Sequence, residues 1–277
     1  MTPLPVVSHP DVVPFDPVWA SLKSAGQAWA AAEPALAGWL ADAVLAPRSF
    51  EDALATLLIS KIADSVLSEQ KLKPLLLEAM AHDPAIAASA LEDLEAHRVR
   101  NPACPDHLTA FLFFKGYQAT QNHRFAHWFW TQNRQVLAHY LQSRGSEVFQ
   151  VDIHPAAPLG RRVFIDHATG IVIGETAVIE DDVSILQNVT LGGTGKEIGK
   201  RHPTIRSGVL ISTGAKVLGD IEVGRGAKIG AGSVVLEDVP EHTTVVGVPA
   251  RAVGRAVEEA PALAMDQHLC CLDDGEG

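Results

Sequence analysis

The sequence has few cysteines, no long hydrophobic run and no excess of positive charge. Its three cysteines, Cys104, Cys270 and Cys271, are an odd number with two adjacent, which excludes a disulfide framework. No apolar stretch approaches the length of a membrane span, so a membrane protein is not expected. The formal net charge of −11 argues against a protein that coats nucleic acid.

The chain divides into two parts near residue 150. Residues 18–150 carry helical patterns, and residues 151–255 follow a different period. The 277 residues, 47% of them apolar, suffice for two cores. Residues 1–17 hold five prolines and lack a signal-peptide layout, so we expect a mobile N-terminal arm of a cytoplasmic protein. Residues 256–277 are predicted to form a mobile C-terminal tail.

Several helix boundaries can be predicted within the first part. Ser49, followed by acidic residues, is typical of a helix start, and a helix is expected over residues 53–67. Pro74 is predicted in the first turn of the next helix. The mainly apolar residues 108–130 predict one long helix.

Apolar residues recur at every sixth position in the second part. A first row of such residues is formed by Ile153, Leu159, Ile165, Ile171, Ala177, Val183 and Val189. A second row, two positions behind, is formed by Ile173, Ile179, Ile185 and Leu191, and the rhythm resumes at Val209. Period six fits neither an amphipathic helix nor a single alternating strand, but it fits a hexapeptide β-solenoid with about 18 residues per coil. An ordinary β-sandwich would need irregular strand lengths.

The predicted fold class is therefore α+β, with an N-terminal α-helical domain followed by a left-handed parallel β-helix. A solenoid has open ends that must be covered. The helical domain can cap the first coil. A short helix from Arg251 is expected to cover the other end.

The rhythm is interrupted between Val189 and Val209. The spacing of these two positions is not a multiple of six, so an extra loop must bulge out. The loop contains Gly192-Gly193-Thr194-Gly195-Lys196 and then Arg201-His202. Exposed backbone N–H groups and positive side chains suit an anion. Taken alone, the motif is also compatible with a flexible solenoid insertion, since the Gly-Lys-Ser/Thr ending of a nucleotide-binding loop is absent.

Asp166-His167 interrupts the repeat in another way. His167 falls in the row that later holds Ile173 and Ile179, and a histidine is out of pattern there. Asp152 lies slightly less than one coil earlier, which can place it on the neighbouring coil near the same corner. Aspartate beside histidine is a general-base arrangement, in which the carboxylate orients the imidazole. A corner histidine bonded to the backbone is the alternative interpretation.

In these motifs the chain resembles serine O-acetyltransferase. The resemblance is carried by Val151-Asp152-Ile153-His154-Pro155-Ala156-Ala157, Asp166-His167-Ala168-Thr169-Gly170, Gly174-Glu175-Thr176-Ala177, the glycine-rich loop, Arg201-His202-Pro203 and Gly247-Val248-Pro249-Ala250-Arg251. Upstream, Lys115-Gly116-Tyr117-Gln118-Ala119 and His127-Trp128-Phe129-Trp130 are also similar. The resemblance extends over roughly residues 30–268.

The resemblance implies an acetyl-CoA-dependent transfer of acetyl to L-serine, the first step of cysteine biosynthesis, without a metal. His167 would be the general base and Asp152 would orient it. Substrate-binding roles would fall to Asp166 for the ammonium, Arg201 and His202 for the carboxylate, and Glu175 and Asn101 in the same pocket. Acetyl-CoA would contact Gly193, Thr194, Thr213, Ala231, Lys228 and Arg251. No cysteine lies in the solenoid, which favours direct transfer.

The resemblance also implies partners. The chain would form a trimer, or a hexamer joined through the helical domain, with sites between neighbouring solenoids. L-cysteine would be a feedback inhibitor. The family usually has Asp where this chain has Asn101, so we expect weaker cysteine inhibition. Family members that bind cysteine synthase end in isoleucine. This chain ends Gly275-Glu276-Gly277, so docking of that partner is not expected in this mode.

Other functions remain open at this stage. Another hexapeptide acyltransferase would act on homoserine or a sugar. A zinc-dependent solenoid would need three converging histidines, for which His154, His167 and His202 are available. A third alternative is an assembly module without catalysis. His123 and His127 share a helix face and are interpreted as core or interface residues in preference to zinc ligands.

Overall fold

A computed structural model describes residues 15–195 and 198–268. The fold class is α+β, as predicted, and a helical part precedes a left-handed parallel β-helix. The helices are α1 (Phe15–Ala32), α2 (Ala37–Leu40), α3 (Phe50–Ile62), α4 (Glu69–His82), α5 (Ala85–Arg100), α6 (His107–Phe113), α7 (Lys115–Thr131), α8 (Gln135–Phe149) and α9 (Pro261–Ala264). None of the helices in these ranges is long and apolar enough to cross a membrane.

The strands of the solenoid form three stacked sheets. Sheet A contains β1 (Val151–Ile153), β3 (Ile171–Ile173), β6 (Thr190–Gly192), β9 (Lys216–Leu218) and β12 (Val234–Val235). Sheet B contains β4 (Val178–Ile179), β7 (Thr204–Ile205) and β10 (Glu222–Val223). Sheet C contains β2 (Phe164–Ile165), β5 (Ser184–Ile185), β8 (Leu210–Ile211), β11 (Lys228–Ile229), β13 (Thr243–Gly247) and β14 (Ala250–Arg255). The chain visits the sheets in the order C, A, B, so the coils have a C–A corner, an A–B corner and a B–C corner.

The six-residue rows point into the prism, as predicted. Ile171, Ala177, Val183 and Val189 are buried, and so is the polar Ser233. Small and β-branched side chains suit this narrow interior because they pack on a pleated surface with little loss of rotamer freedom.

The pairing register of the strands changes at one point, which the six-residue period did not reveal. Ile165 lies opposite Ile185, whereas Ile173 lies opposite Leu191, so the partners of the first pair are two positions further apart along the chain. Two extra residues therefore enter at the C–A corner between β2 and β3. Because of them, the first sequence row stacks on the second, and His167 does not lie in line with Ile173 as the spacing predicted.

The predicted loop lies at the A–B corner between β6 and β7. Leu191 pairs with Val217, so this coil is much longer than the preceding one, which joins Ile173 to Leu191. Gly219 N–H donates to the Gly192 carbonyl at 2.9 Å, so the next coil stacks directly on the point where the loop leaves the solenoid.

Three helix predictions need correction. Helix α3 ends at Ile62, not at residue 67, because the Asp64 carboxylate accepts from the N–H groups of Val66 and Leu67 and forms a turn. Pro74 lies beyond the first turn of α4. The expected helix 108–130 divides at Phe114, whose backbone is extended.

The division at Phe114 lets α7 approach the solenoid. A Cβ at Gly116 would lie 1.9 Å from the Ile165 carbonyl oxygen, so only glycine permits this contact between α7 and β2. The contact places the start of α7 beside the C–A corner.

A buried ion pair joins the two parts of the chain. Asp93 accepts hydrogen bonds from Arg124 Nη2 at 2.7 Å and from Val163 N–H at 2.9 Å, and its side chain is fully buried. Arg124 Nη2 also donates to the Gly160 carbonyl at 2.7 Å. These bonds hold α5 and α7 against the first coil.

The far end of the solenoid closes differently from the prediction. No helix starts at Arg251, because Gly247, at φ +100°, turns the chain into a hairpin in which β14 pairs antiparallel with β13. The described part of the predicted mobile tail, residues 256–268, packs on sheet C. Ser184 Oγ donates to the Ala262 carbonyl at 2.8 Å.

Candidate functional site

The C–A corner between β2 and β3 exposes the histidine that the sequence singled out. His167 and Ala168 both have left-handed backbones, at φ 56° and 65°. Ala168 is buried, whereas the His167 side chain is 73% exposed. The two extra residues of this corner thus lift the imidazole out of the solenoid, with its Nε2 3.7 Å from Asp166 Oδ2.

A cleft of about 360 Å³ opens beside His167. Asn101, at the end of α5, and Asp166 line it together with His167. The side-chain oxygen Oδ1 of Asn101 accepts from the Ala103 N–H at 2.9 Å, so the side-chain NH₂ group faces Asp166, with Asn101 Nδ2 3.5 Å from Asp166 Oδ1. The cleft therefore offers one carboxylate, one amide and one imidazole to a small polar molecule, and the Lys115 side chain also lines it.

Asp152 lies on the edge strand of sheet A, one coil below this corner. Val151 and Ile153 on either side of it are buried, so its side chain faces outward. Gln142 Nε2 donates to Asp152 Oδ1 at 2.7 Å. Within residues 15–195 and 198–268 no hydrogen bond joins Asp152 to His167, so their pairing stays a prediction.

Glu175, Arg201 and His202 gather at the A–B corner. Arg201 forms an ion pair with Glu175, and this hydrogen bond lowers the pKa of the Glu175 carboxyl. His202 Nδ1 accepts from the Thr176 N–H at 3.2 Å, so Nε2 carries the ring proton. Burial, and then the nearby Arg201 charge, lower the pKa of His202, which favours the neutral imidazole.

The predicted substrate residues thus fall into two clusters. Asn101, Asp166 and His167 lie at the C–A corner, and the Glu175–Arg201–His202 cluster lies at the A–B corner. Sheet A separates these corners. One chain therefore does not bring all the predicted substrate residues to a single pocket.

A column of backbone groups runs along the C–A corner from Thr169, two residues after His167. Thr213 and Ala231 occupy the equivalent position on successive coils, where Gly232 N–H donates to the Thr213 carbonyl at 2.8 Å. Gln187 lies between His167 and Thr213, and its buried Oε1 has no partner among the described residues. The sequence reasoning missed Gln187, because one 18-residue coil counted on from His167 leads to Ile185, and the two extra residues of this corner were not foreseen.

The other predicted acetyl-CoA contacts are scattered. Gly193 and Thr194 lie in the loop at the A–B corner, and Lys196 lies outside the described residues. Lys228 is buried on sheet C, where its Nζ donates to the His268 carbonyl at 2.7 Å. In this conformation the ammonium group that was expected to contact acetyl-CoA is bonded to the backbone. Arg251 is exposed on β14.

The remaining candidates have structural partners. His123 and His127 contact the solenoid carbonyls of Ala157 and Pro155 at 3.0 and 2.7 Å, as expected for interface histidines. Burial raises the pKa of the Cys104 thiol, which disfavours a thiolate nucleophile. Over the described ranges, no three His, Cys, Asp or Glu side chains group as a metal site.

Two family models match the chain. Serine acetyltransferase, N-terminal, matches residues 18–122, and bacterial transferase hexapeptide (six repeats) matches residues 202–237. The chain is 52% identical over 252 residues to a serine acetyltransferase of Escherichia coli (strain K12), covering 91% of this chain and 92% of the relative. It is 48% identical over 258 residues to one from Haemophilus influenzae, covering 93% and 97%.

Solved structures that resemble this chain are also serine acetyltransferases. The serine acetyltransferase of Vibrio cholerae superposes with a TM-score of 0.89 at 50% identity, covering 91% of this chain and 97% of that chain. A serine acetyltransferase in complex with cysteine has a TM-score of 0.89 at 48% identity, covering 91% and 98%. The Brucella abortus enzyme in complex with coenzyme A has a TM-score of 0.85 at 46% identity, covering 87% and 96%.

Proposed function

The chain belongs to the serine acetyltransferase family, and on this premise we propose that it transfers the acetyl group of acetyl-CoA to the hydroxyl of L-serine, giving O-acetyl-L-serine and CoA. The observation that carries the proposal is the cleft shared by Asn101, Asp166 and His167. An acceptor with an ammonium, a hydroxyl and a carboxylate suits this set better than a sugar does. The reaction would begin cysteine biosynthesis in the cytoplasm.

His167 acts as general base in the proposed mechanism. Its imidazole takes the proton of the serine hydroxyl while Asp152 orients the ring. The serine oxygen attacks the thioester carbonyl, the C–S bond breaks, and the CoA thiolate takes the proton back from the imidazolium. Direct transfer needs no thiol nucleophile, in agreement with the raised pKa of the Cys104 thiol.

Acetyl-CoA is proposed to lie along the C–A corner. The stacked turns at Thr213 and Ala231 present backbone groups in a line that leads to Thr169, two residues after His167. The extended pantetheine arm matches such a line, and it would bring the thioester to the imidazole. Gly193 and Thr194 would reach the thioester end from a neighbouring copy.

A second copy of the chain is proposed to complete the site. Asp166 would hold the ammonium of serine, while Arg201 and His202 of a neighbouring chain would bind the carboxylate. Three prisms around a threefold axis would set each C–A corner against the A–B corner of the next chain. The helical domain would then join two trimers.

The cleft is also the proposed site of L-cysteine, which shares the ammonium and carboxylate of serine. Inhibition by cysteine follows if both compete for Asp166. The prediction about cysteine synthase concerns the segment beyond residue 268, which lies outside the described residues.

Measurement of CoA release tests the reaction. Purified protein is assayed with acetyl-CoA alone, with L-serine, and with L-homoserine, alongside His167→Ala and the exposed control His82→Ala. We expect CoA release that needs L-serine, persists in His82→Ala and collapses in His167→Ala. Release with homoserine but not serine would overturn the substrate, and full activity of His167→Ala would overturn the base.

A mixing experiment tests the shared site. His167→Ala and Arg201→Ala chains are each expected to be inactive, but a co-refolded mixture contains interfaces with both residues intact. Random trimer assembly predicts recovery of about a quarter of wild-type activity. No recovery from mixed oligomers would show that each site belongs to one chain.

A further inference from the structure

The carboxylate of Asp152 is held by a side chain of the helical domain. Gln142 on α8 donates from Nε2 to Asp152 Oδ1 at 2.7 Å. No other side chain in the part of the chain that the structure describes donates to this carboxylate. The predicted catalytic carboxylate therefore depends on a residue outside the solenoid.

The fold explains how α8 reaches this carboxylate. Helix α8 ends at Phe149, and Gln150 adopts a left-handed conformation at φ 57° that reverses the chain into β1. Strand β1 is the edge strand of sheet A, so no further strand covers its free side. The last turns of α8 pack along that side and bring Gln142 back onto Asp152.

The chemistry of the partners fixes the orientation of the Gln142 amide. An ionised carboxylate only accepts hydrogen bonds, so the NH₂ group must face Asp152. The amide oxygen then faces His139, whose Nδ1 lies 3.1 Å from Gln142 Oε1. Because the amide oxygen also only accepts, Nδ1 of His139 carries the proton.

Aromatic contacts hold His139 in place. Its ring meets Trp130 edge-on at 5.3 Å between centroids and meets His154 edge-on at 5.5 Å. Trp130 and His154 are themselves 5.2 Å apart. Edge-to-face packing of this kind is favourable, so it stabilises the orientation of the exposed His139 ring that donates to Gln142.

We propose that Gln142 is a positioning residue for the transfer reaction, acting through Asp152. One carboxylate oxygen is occupied by the Gln142 amide, which fixes the plane of the carboxylate and leaves Oδ2 for the imidazole of His167. The amide is neutral, so it holds the anion without competing with the imidazolium that forms during transfer. This inference rests on the proposed function, because it assigns a role within the same reaction.

Steady-state kinetics of Gln142→Leu and Gln142→Glu test the inference. Leucine removes the amide at similar size, and glutamate cannot donate when ionised. Gln135→Leu is the matched control, since Gln135 is exposed on the same helix. We expect kcat of both Gln142 variants to fall about tenfold or more, as loss of one hydrogen bond to a charged group implies. The KM values for L-serine and acetyl-CoA stay within about twofold, because neither substrate contacts Gln142.

A double-mutant cycle separates positioning from general support of the fold. In an Asp152→Asn background, Gln142→Leu has no further effect on the residual kcat if Gln142 acts only through the carboxylate. An equal loss of kcat on Gln142→Leu in both backgrounds would overturn the inference. So would a Gln142→Leu single variant whose kcat equals that of the wild type. The proposed function fails separately, if wild-type protein releases no CoA in response to L-serine.

Discussion

Gly174 and His202 are in direct contact at the A–B corner. A Cβ built on Gly174 would lie 2.0 Å from His202 Nε2, so the imidazole packs directly against the backbone of Gly174, which has no side chain. Glycine is needed here for close approach and not for a special backbone angle. The contact fixes the ring whose Nε2–H is proposed to bind the substrate carboxylate.

Gly174→Ala is therefore expected to displace His202. The added methyl group must push the ring away, and the lost hydrogen bond should raise KM for L-serine about tenfold, with little change in KM for acetyl-CoA. Gly38→Ala is the control, since nothing lies within 4 Å of a Cβ there. An unchanged KM for serine would argue against His202 as a carboxylate ligand.

Asn101 is expected to tune cysteine sensitivity. Its amide faces Asp166, and Asn101→Asp would add a second carboxylate to the subsite proposed for the ammonium. Stronger attraction for the ammonium should lower the cysteine concentration needed for half inhibition. Titration of both proteins with L-cysteine at fixed serine measures this. Superimposable inhibition curves would show that Asn101 does not set the affinity.

The buried His97 should make the fold sensitive to acid. Neither ring nitrogen has a hydrogen-bond partner among the described residues, and burial lowers the pKa of His97 from 6.5 to about 3. The unfolded chain thus binds a proton below pH 6.5 that the folded chain excludes until about pH 3. Over this window stability falls with falling pH by about 1.4 kcal/mol per pH unit for this one group.

His97→Leu tests this linkage. The variant should lose this part of the pH dependence and should be at least as stable at neutral pH, because no buried nitrogen is left unpaired. Denaturant unfolding at neutral pH and at several mildly acidic pH values inside the window gives the slope. The exposed His82→Leu is the comparison, and equal slopes for wild type and His97→Leu would contradict the assignment.

Removal of the Asp93 charge should weaken the junction between helices and solenoid. Asp93→Asn leaves the buried Arg124 guanidinium without its counter-ion, which costs about 3–5 kcal/mol of unfolding free energy. Glu78→Gln, in the exposed pair with Arg134, should cost about 0–1 kcal/mol. Urea unfolding compares them. Similar losses in both variants would mean that the Asp93 pair is no more important than a surface pair.

The six-residue rows predicted the architecture because each inward position must be small or branched to fit the prism. They did not predict the strand register. Two extra residues between β2 and β3 leave the six-residue spacing along the chain unchanged, but they place the first sequence row opposite the second in the stacked coils. A one-dimensional period records spacing along the chain, whereas register depends on which strand lies opposite.

The helical part was less predictable. The Ser49 cap was recognised, and its hydroxyl accepts from the Asp52 N–H at 3.3 Å. The break at Phe114 was missed, because the residues before it are apolar and no helix-breaking proline marks it, whereas the structure shows a close contact of Gly116 with Ile165. Likewise, Arg251 begins a stretch that was predicted to be helical, but pairing with β13 determines its conformation.

Periodicity and residue type were enough to predict the solenoid, the helical domain and the residues with candidate chemistry. They did not predict that Asp166 and His167 lie at one corner while Arg201 and His202 lie at another, with sheet A between them, which the folded chain shows. The folded chain also shows that Gln142 holds Asp152. Both outcomes depend on how coils and helices pack across long separations along the chain, which no local spacing encodes.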